Sequence, residues 1–285
     1  LGVQDERPVV LVTGSSSGFG LLACVELAVR GYAVFAGMRR PEASGELMKA
    51  AQTSGALEHI HVVGLDVTDG EQVLQAVSGI LKSRGRIDVL VNNAGTAYGG
   101  MIEEIPMDVW KAQLETNFFG MVAVTQAVLP AMREARKGKI IQISSISGAV
   151  GFPGFGPYVS SKFAVEGFSE CLALEMRPFG VDVVVVEPGS YGTAIWDKGF
   201  AQMSTADRSP YERMLNQLMD FSRNSADQRG DPADVARLIA RIARMNKPAF
   251  RYALPAGTRW TMAVKPLLPG RLFQRIMLAL LSKKG

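Results

Sequence analysis

The sequence predicts an α/β fold: a doubly wound parallel sheet in three layers, α/β/α, forming a single domain with a C-terminal helical tail. Three observations predict it. Short valine- and isoleucine-rich runs alternate with longer amphipathic stretches along most of the chain. A glycine-rich turn joins the first such run to the first helical stretch. The polar and glycine-rich segments fall just after the first, fourth, fifth and sixth runs, where ligands bind in open parallel sheets.

The elements follow in order. Val9–Val12 is read as a strand and Gly18–Arg30 as a helix; Tyr32–Gly37 and His59–Leu65 are the next two strands. A helix is predicted from about Asp69 to Lys82, a fourth strand at Ile87–Val91, and a long helix near Pro106–Arg133. Lys139–Ser144 is the fifth strand, Pro157–Phe179 a helix and Val181–Glu187 the sixth strand. The runs are apolar at consecutive positions, as expected of strands covered on both faces. No repeat, low-complexity segment or linker divides the 285 residues, so residues 1–285 are read as one domain.

Composition narrows the function. Hydrophobic residues make up 47% and charged residues 20%, which is globular composition rather than that of a disordered chain. Two cysteines, Cys24 and Cys171, cannot form a disulfide framework; both lie in apolar helical patterns and are expected to be buried thiols in a reducing compartment. With no secretory signal and no apolar run approaching the ~20 residues of a spanning helix, the expectation is a cytoplasmic protein. The first residue is Leu1, so the start is expected to be trimmed. His59 and His61 alternate on one strand without a carboxylate or thiol beside them, so no metal site is expected. The net charge of +4 is unevenly spread, since residues 235–285 hold 11 Lys or Arg and no Asp or Glu. No nucleic-acid-reading motif accompanies this basic segment.

The turn Thr13-Gly14-Ser15-Ser16-Ser17-Gly18-Phe19-Gly20 suits a dinucleotide. Its glycines let backbone approach a pyrophosphate, and the helix start that follows offers free N–H groups and a positive dipole end. Packing alone is the competing reading of such a turn. An acidic residue about 20 positions on would hold the ribose 2′-OH of NAD. Here the sequence reads Gly37-Met38-Arg39-Arg40, and a guanidinium binds a 2′-phosphate through charge-assisted hydrogen bonds. NADP is therefore expected in preference to NAD, with Ser17 as a second contact. Asp66, in Leu65-Asp66-Val67, is placed either to touch the adenine edge or to cap the following loop.

Tyr158-Val159-Ser160-Ser161-Lys162 opens a helix behind Pro157, which suits a first turn. The i, i+4 spacing puts Tyr158 and Lys162 on one face. A phenol titrating near ~10 needs about 4 kcal/mol to reach about 7. An ammonium ~4 Å away in a half-dry site supplies roughly that much.

Together with Asn92-Asn93-Ala94-Gly95, Asn117 in Thr116-Asn117-Phe118, Ser145 thirteen residues before Tyr158, and Pro188-Gly189 with Thr193, this set resembles the short-chain dehydrogenase/reductase family, in its TGxxxGxG and YxxxK branch. The resemblance covers about residues 8–193, and more weakly 231–240, and implies a Rossmann-type sheet. It implies that Tyr158 is the acid–base group and that Lys162 binds the nicotinamide ribose and lowers the tyrosine pKa. Ser145, chosen over Ser144 by its spacing, would bond the substrate oxygen, and Asn117 would hold a proton-relaying water. The cofactor-binding residues it implies are Gly14, Ser15, Ser17, Gly18, Phe19, Gly20, Arg39, Asp66, Val67, Asn93, Ala94, Gly95, Tyr158, Lys162, Pro188, Gly189 and Thr193. The closest likeness is to steroid- and retinol-dehydrogenase-like members, and homo-oligomers formed through the long helices are common in the family.

In this family residues 190–230 correspond to a substrate lid. Trp196, Phe200, Met203, Tyr211, Met214, Leu215, Leu218 and Phe221 make it methionine- and aromatic-rich, suggesting a lipophilic carbonyl or alcohol substrate, with ordinary helix packing as the alternative. Residues 255–285 form a basic amphipathic tail, with Arg271, Gln274, Arg275 and Ser282 on one side and Phe273, Ile276, Met277, Leu280 and Leu281 on the other. Docking on the protein's own more acidic body is favoured over peripheral contact with a membrane or a partner subunit. The alternative function is a catalytically silent NAD(P)-binding sensor on the same fold, which the intact Ser145, Tyr158 and Lys162 set argues against.

Overall fold

The computed structural model describes residues 6–193, 195, 199, 203, 209–224, 230–255, 257–258, 262 and 264–282. Among these, seven strands form one sheet: β1 (Val9–Thr13), β2 (Ala33–Met38), β3 (Ile60–Gly64), β4 (Val89–Asn92), β5 (Gly138–Ile143), β6 (Val181–Pro188) and β7 (Arg251–Leu254). All pairs are parallel and the order is β3-β2-β1-β4-β5-β6-β7. The chain winds outward in both directions from the β1/β4 junction, which makes this the switch point where a ligand crevice opens.

Each strand feeds its two faces to different helices because side chains alternate along it. Val10 and Val12 of β1 pack with α1 (Gly18–Val29), with Leu47 and Ala51 of α2 (Gly45–Thr53), and with the helix Pro232–Arg244. Val9 and Leu11 face the other way, onto α3 (Gly70–Arg84), α5 (Gly120–Ala135) and α6 (Gly156–Met176). The remaining helices are α4 (Met107–Leu114), α7 (Glu212–Asn224), α8 (Pro232–Arg244) and α9 (Gly270–Ser282). The core is thus two apolar layers on one sheet, as the valine-rich strands require.

Local signals account for the boundaries. Asp69 caps α3, its Oδ1 accepting from the backbone N–H groups of Glu71 and Gln72, and Gly85 ends that helix at φ +71°. Asp231 caps α8 in the same way, accepting from Ala233, with Pro232 in the first turn. The predicted long helix near 106–133 is two α-helices joined by a π turn at Glu115–Phe119, and Pro130 lies within the second of them. Strand β7 and helix α2 were not anticipated.

Three expectations are corrected. Cys24 is buried, but Cys171 is exposed, because it falls on the solvent side of α6. The helix at Pro157 starts one residue earlier and gives way to a 3₁₀ turn at Arg177. The tail packs on the body through only part of its surface: Phe273 and Met277 are half-buried while Ile276 is 40% exposed. Trp196 and Phe200 lie outside the described residues, as do the side chains of Phe221, Leu280 and Leu281. No helix among the described residues is long and apolar enough to cross a membrane, and no group of His, Cys, Asp or Glu among them is placed to hold a metal.

Candidate active site

A cavity of about 430 Å³ opens along the carboxyl ends of β1, β2, β4, β5 and β6. At the β1 end it is lined by Gly14, Ser16, Ser17, Gly18 and Phe19. Gly14 and Gly18 have φ of +66° and +58°, a region side chains disfavour. A Cβ at Gly14 would lie 2.7 Å from the Cα of Ala94, and one at Gly20 would lie 2.3 Å from the carbonyl oxygen of Gly14. The turn is therefore held tight against the loop after β4. Helix α1 starts at Gly18 with no side-chain cap and no acidic residue in its first turn, so its leading N–H groups and dipole remain for an anion.

Two predicted residues stand behind this wall rather than in it. Ser15 is fully buried; its backbone N–H donates to the carbonyl of Gly37, and its hydroxyl lies 2.7 Å from the carbonyl oxygen of Val12 and 3.0 Å from that of Gly37. It ties the turn to β2. Gly20 packs beneath Gly14 and the Asn93 side chain. Asn93 staples the two loops, its Nδ2 donating to the carbonyls of Thr13 (2.9 Å) and Gly14 (3.0 Å), while Thr13 Oγ1 accepts from the N–H groups of Asn93 and Ala94. Ala94 and Gly95 line the cavity.

At the β2 end the lining is Met38, Arg39, Arg40 and Ala43, with Leu65, Asp66 and Val67 from the end of β3. Both arginines and Ser17 are exposed to the same space. Asp66 lines the cavity and also caps its loop, its Oδ1 accepting from the N–H (3.0 Å) and hydroxyl (2.8 Å) of Thr68.

The central part carries the reactive groups. Ser145, just past β5, is 4% exposed, Tyr158 5% and Lys162 6%. Tyr158 and Lys162 share the inner face of α6, and Lys162 Nζ lies 5.7 Å from the Tyr158 ring centroid. Ser145 bonds to the Tyr158 hydroxyl, and its Oγ also receives the N–H of Ser147 at 3.1 Å. Ser144 lines the cavity beside it, and its Oγ has no hydrogen-bond partner among the described residues. Pro188, Gly189 and Thr193 close the far side, with Thr193 Cβ 3.9 Å from where a Gly18 Cβ would sit.

The electrostatics differ from expectation. Burial pushes the Tyr158 phenol up to about 12, and the Ser145 hydrogen bond offsets this only in part. Lys162 Nζ donates to the carbonyl of Ile143 at 2.8 Å, and the ammonium is itself depressed to about 8 by burial, against the pull of Glu166. Asn117 takes a bracing position. It is fully buried in the π turn, its Oδ1 accepting from the N–H of Thr96 and its Nδ2 donating to the Thr96 carbonyl and to Ser161 Oγ. That side chain anchors the loop after β4 and does not line the cavity.

Lining residues that the motifs did not indicate include Ser16, Thr96, Tyr98, Thr116, Ile143 and Tyr191. Tyr191 is 2% exposed and meets Phe19 edge-on at 5.6 Å. Ser16 and Thr116 lie within quoted motifs without being singled out there, and for the others the only signal was position near a strand end. Beyond Tyr158 the wall turns apolar. Ala97, Phe155 and Tyr158 pack with Phe152, Ile195 and Met203, and Met203 also packs against a second cluster of Met101, Leu215 and Leu218 with Tyr211 and Met214.

Comparison with known proteins identifies the family. The family model for short chain dehydrogenases matches residues 8–204. The chain is similar to uncharacterized oxidoreductase YusZ of Bacillus subtilis, at 42% identity over 95% of this chain and 97% of that protein. It is also similar to a 3-ketodihydrosphingosine reductase of Bacteroides thetaiotaomicron, at 39% identity over 85% of this chain and 86% of that one. A solved structure of ElxO with NADP bound has a TM-score of 0.76 at 29% identity, covering 89% of this chain and 99% of that chain.

Proposed function

The chain belongs to the short-chain dehydrogenase family and is an oxidoreductase, and from that premise we propose that it uses NADP(H) to interconvert a carbonyl and an alcohol on a lipophilic substrate, with Tyr158 as the acid–base group. The observation that carries this reading is the convergence of the glycine turn, Arg39 and the Ser145, Tyr158 and Lys162 set on one cavity. The cradle fits a dinucleotide: Gly14 and Gly18 hold positive φ, a Cβ at Gly14 would strike Ala94, and the start of α1 is uncapped. When bound, the nicotinamide group supplies or accepts the hydride.

The chain's own residues do the rest. The N–H groups at the start of α1 hold the pyrophosphate. Arg39 and Arg40, with Ser17 facing them, take the 2′-phosphate, and the lack of a carboxylate at the end of β2 favours NADP over NAD. Lys162 keeps two further ammonium donors after its bond to Ile143, and these suit ribose hydroxyls. Ser145 bonds the substrate oxygen as charge develops on it. Tyr158, protonated throughout the neutral range, donates its proton to that oxygen, which suits the protein to reduction. Phe152, Phe155 and Met203 provide the apolar wall for the substrate body. A relative named for reduction of 3-ketodihydrosphingosine supports a lipophilic ketone, and NADP in the ElxO structure supports the cofactor.

The test is NADPH oxidation across ketones of increasing chain length, with Tyr158→Phe alongside the unaltered protein. The variant is expected to lose about 10²–10⁴-fold in kcat while keeping its NADPH affinity. Unchanged turnover in the variant would overturn the assignment. NADPH binding with no turnover of any ketone would favour the silent sensor.

A further inference from the structure

The surface of α9 is divided into stripes by its helical period. Phe273 and Met277 turn inward and are half-buried. The helix lies against α7, the lid helix whose Leu215 and Leu218 are buried with Met101. Its approach is pinned by Lys265, which donates to the carbonyl of Ala149 and lies 5.2 Å and 5.8 Å from the ring centroids of Phe163 and Phe273.

The outward half has a different character. Leu272 and Ile276, one turn apart, are 44% and 40% exposed, and Leu267 just before the helix is 80% exposed. Arg271 and Arg275, also one turn apart and exposed, run beside them. From residue 235 to the end of the sequence there are 11 basic residues and no Asp or Glu, and while Arg237 and Arg251 pair with carboxylates from earlier in the chain, α9 itself carries none. An apolar stripe flanked by a cationic one is the pattern of a helix lying in the plane of a lipid interface, with aliphatic side chains among the acyl chains and guanidinium groups among phosphates. A second copy of this chain fits the face less well. An isologous contact there would bring Arg271 and Arg275 of both copies together without a carboxylate between them.

We propose that the outer face of α9, with Leu267, is a docking surface for an anionic phospholipid bilayer. Docking through this face sets the lid helix α7 beside the lipid. The reading is independent of which compound the active site reduces.

The test is co-sedimentation of the purified full chain with phosphatidylcholine vesicles, with and without phosphatidylglycerol, at low and high salt. The protein is expected to sediment with the phosphatidylglycerol-containing vesicles only, and to be released by salt. Two double variants, Leu272→Ser with Ile276→Ser and Arg271→Glu with Arg275→Glu, are each expected to bind about tenfold more weakly or worse, while keeping the melting temperature and NADPH affinity of the unaltered chain. Failure to sediment at low salt overturns the proposal, as does equal sedimentation by both variants. So does light scattering that shows a dimer dispersed by the serine variant with vesicle binding unchanged, which would assign the face to a second copy.

Discussion

Glu187, near the end of β6, is 2% exposed and stands beside Glu166 and Arg251, behind the lysine of the site. Its Oε1 lies 3.4 Å from Arg251 Nε, an ion contact that makes no hydrogen bond. Burial, with the neighbouring Glu166, pushes its carboxyl up to about 7, against the pull of Arg251. The folded protein therefore binds this proton more tightly than the unfolded chain does. Stability from this group is fully present below the ordinary carboxylate range and is lost as pH rises towards about 7. Glu187→Gln is expected to be near neutral at about pH 5 and stabilising by about 2 kcal/mol at about pH 8. Urea melts at the two pH values check this, and parallel shifts at both would refute it. The sequence marked Tyr158 and Lys162 but gave no sign of this triad, because Glu166, Glu187 and Arg251 meet only when α6, β6 and β7 come together.

At the scale of elements, α8 ends against β5 through one side chain. Lys139 Nζ donates to the carbonyls of Ile242 (2.9 Å), Ala243 (3.0 Å) and Met245 (2.6 Å) at the helix end, where the Ile242 carbonyl also accepts from the N–H of Met245. A cation there also faces the negative end of the helix dipole. Lys139→Met keeps the aliphatic stem but leaves the Ala243 and Met245 carbonyls short of a donor, and a loss of about 2–3 kcal/mol is expected in denaturant melts. A change below half a kcal/mol would mean that water replaces the amine. Element existence was legible wherever apolar runs or capping residues were strong, as in β1, β6 and α3. Strand β7 was not legible, since it has only four residues, lies at the sheet edge and starts with the exposed Arg251. Nor was the π turn that turns Asn117 towards Thr96, since no local pattern separates it from continuous helix.

For the whole molecule, cofactor binding is a stability measurement. NADPH at ~100 times its dissociation constant adds about 2.7 kcal/mol. For a chain of this size that is a rise of roughly 5–10 °C in Tm. A smaller rise is expected with NADH at the same concentration, and Arg39→Glu is expected to reverse the order. A larger shift with NADH in the unaltered chain would refute the role given to Arg39. The charge distribution also acts at this scale, since the net +4 divides into 11 basic residues without a carboxylate in residues 235–285 and an acidic excess in the rest of the sequence.

The sequence by itself determined the parallel sheet, the strand ends at which the crevice opens and most of the cavity lining, because strand period, glycine turns and helix starts are local signals and strand ends converge in any doubly wound sheet. Only the tertiary structure decided that burial raises the Tyr158 phenol, that Ser15 and Asn117 brace the walls, that Cys171 is exposed, and that one half of the tail helix is left outward. Each of these depends on burial and on partners distant along the chain, such as Ile143 for Lys162 and Thr96 for Asn117. Desolvation and hydrogen bonding are set by three-dimensional neighbours, which residue spacing does not specify.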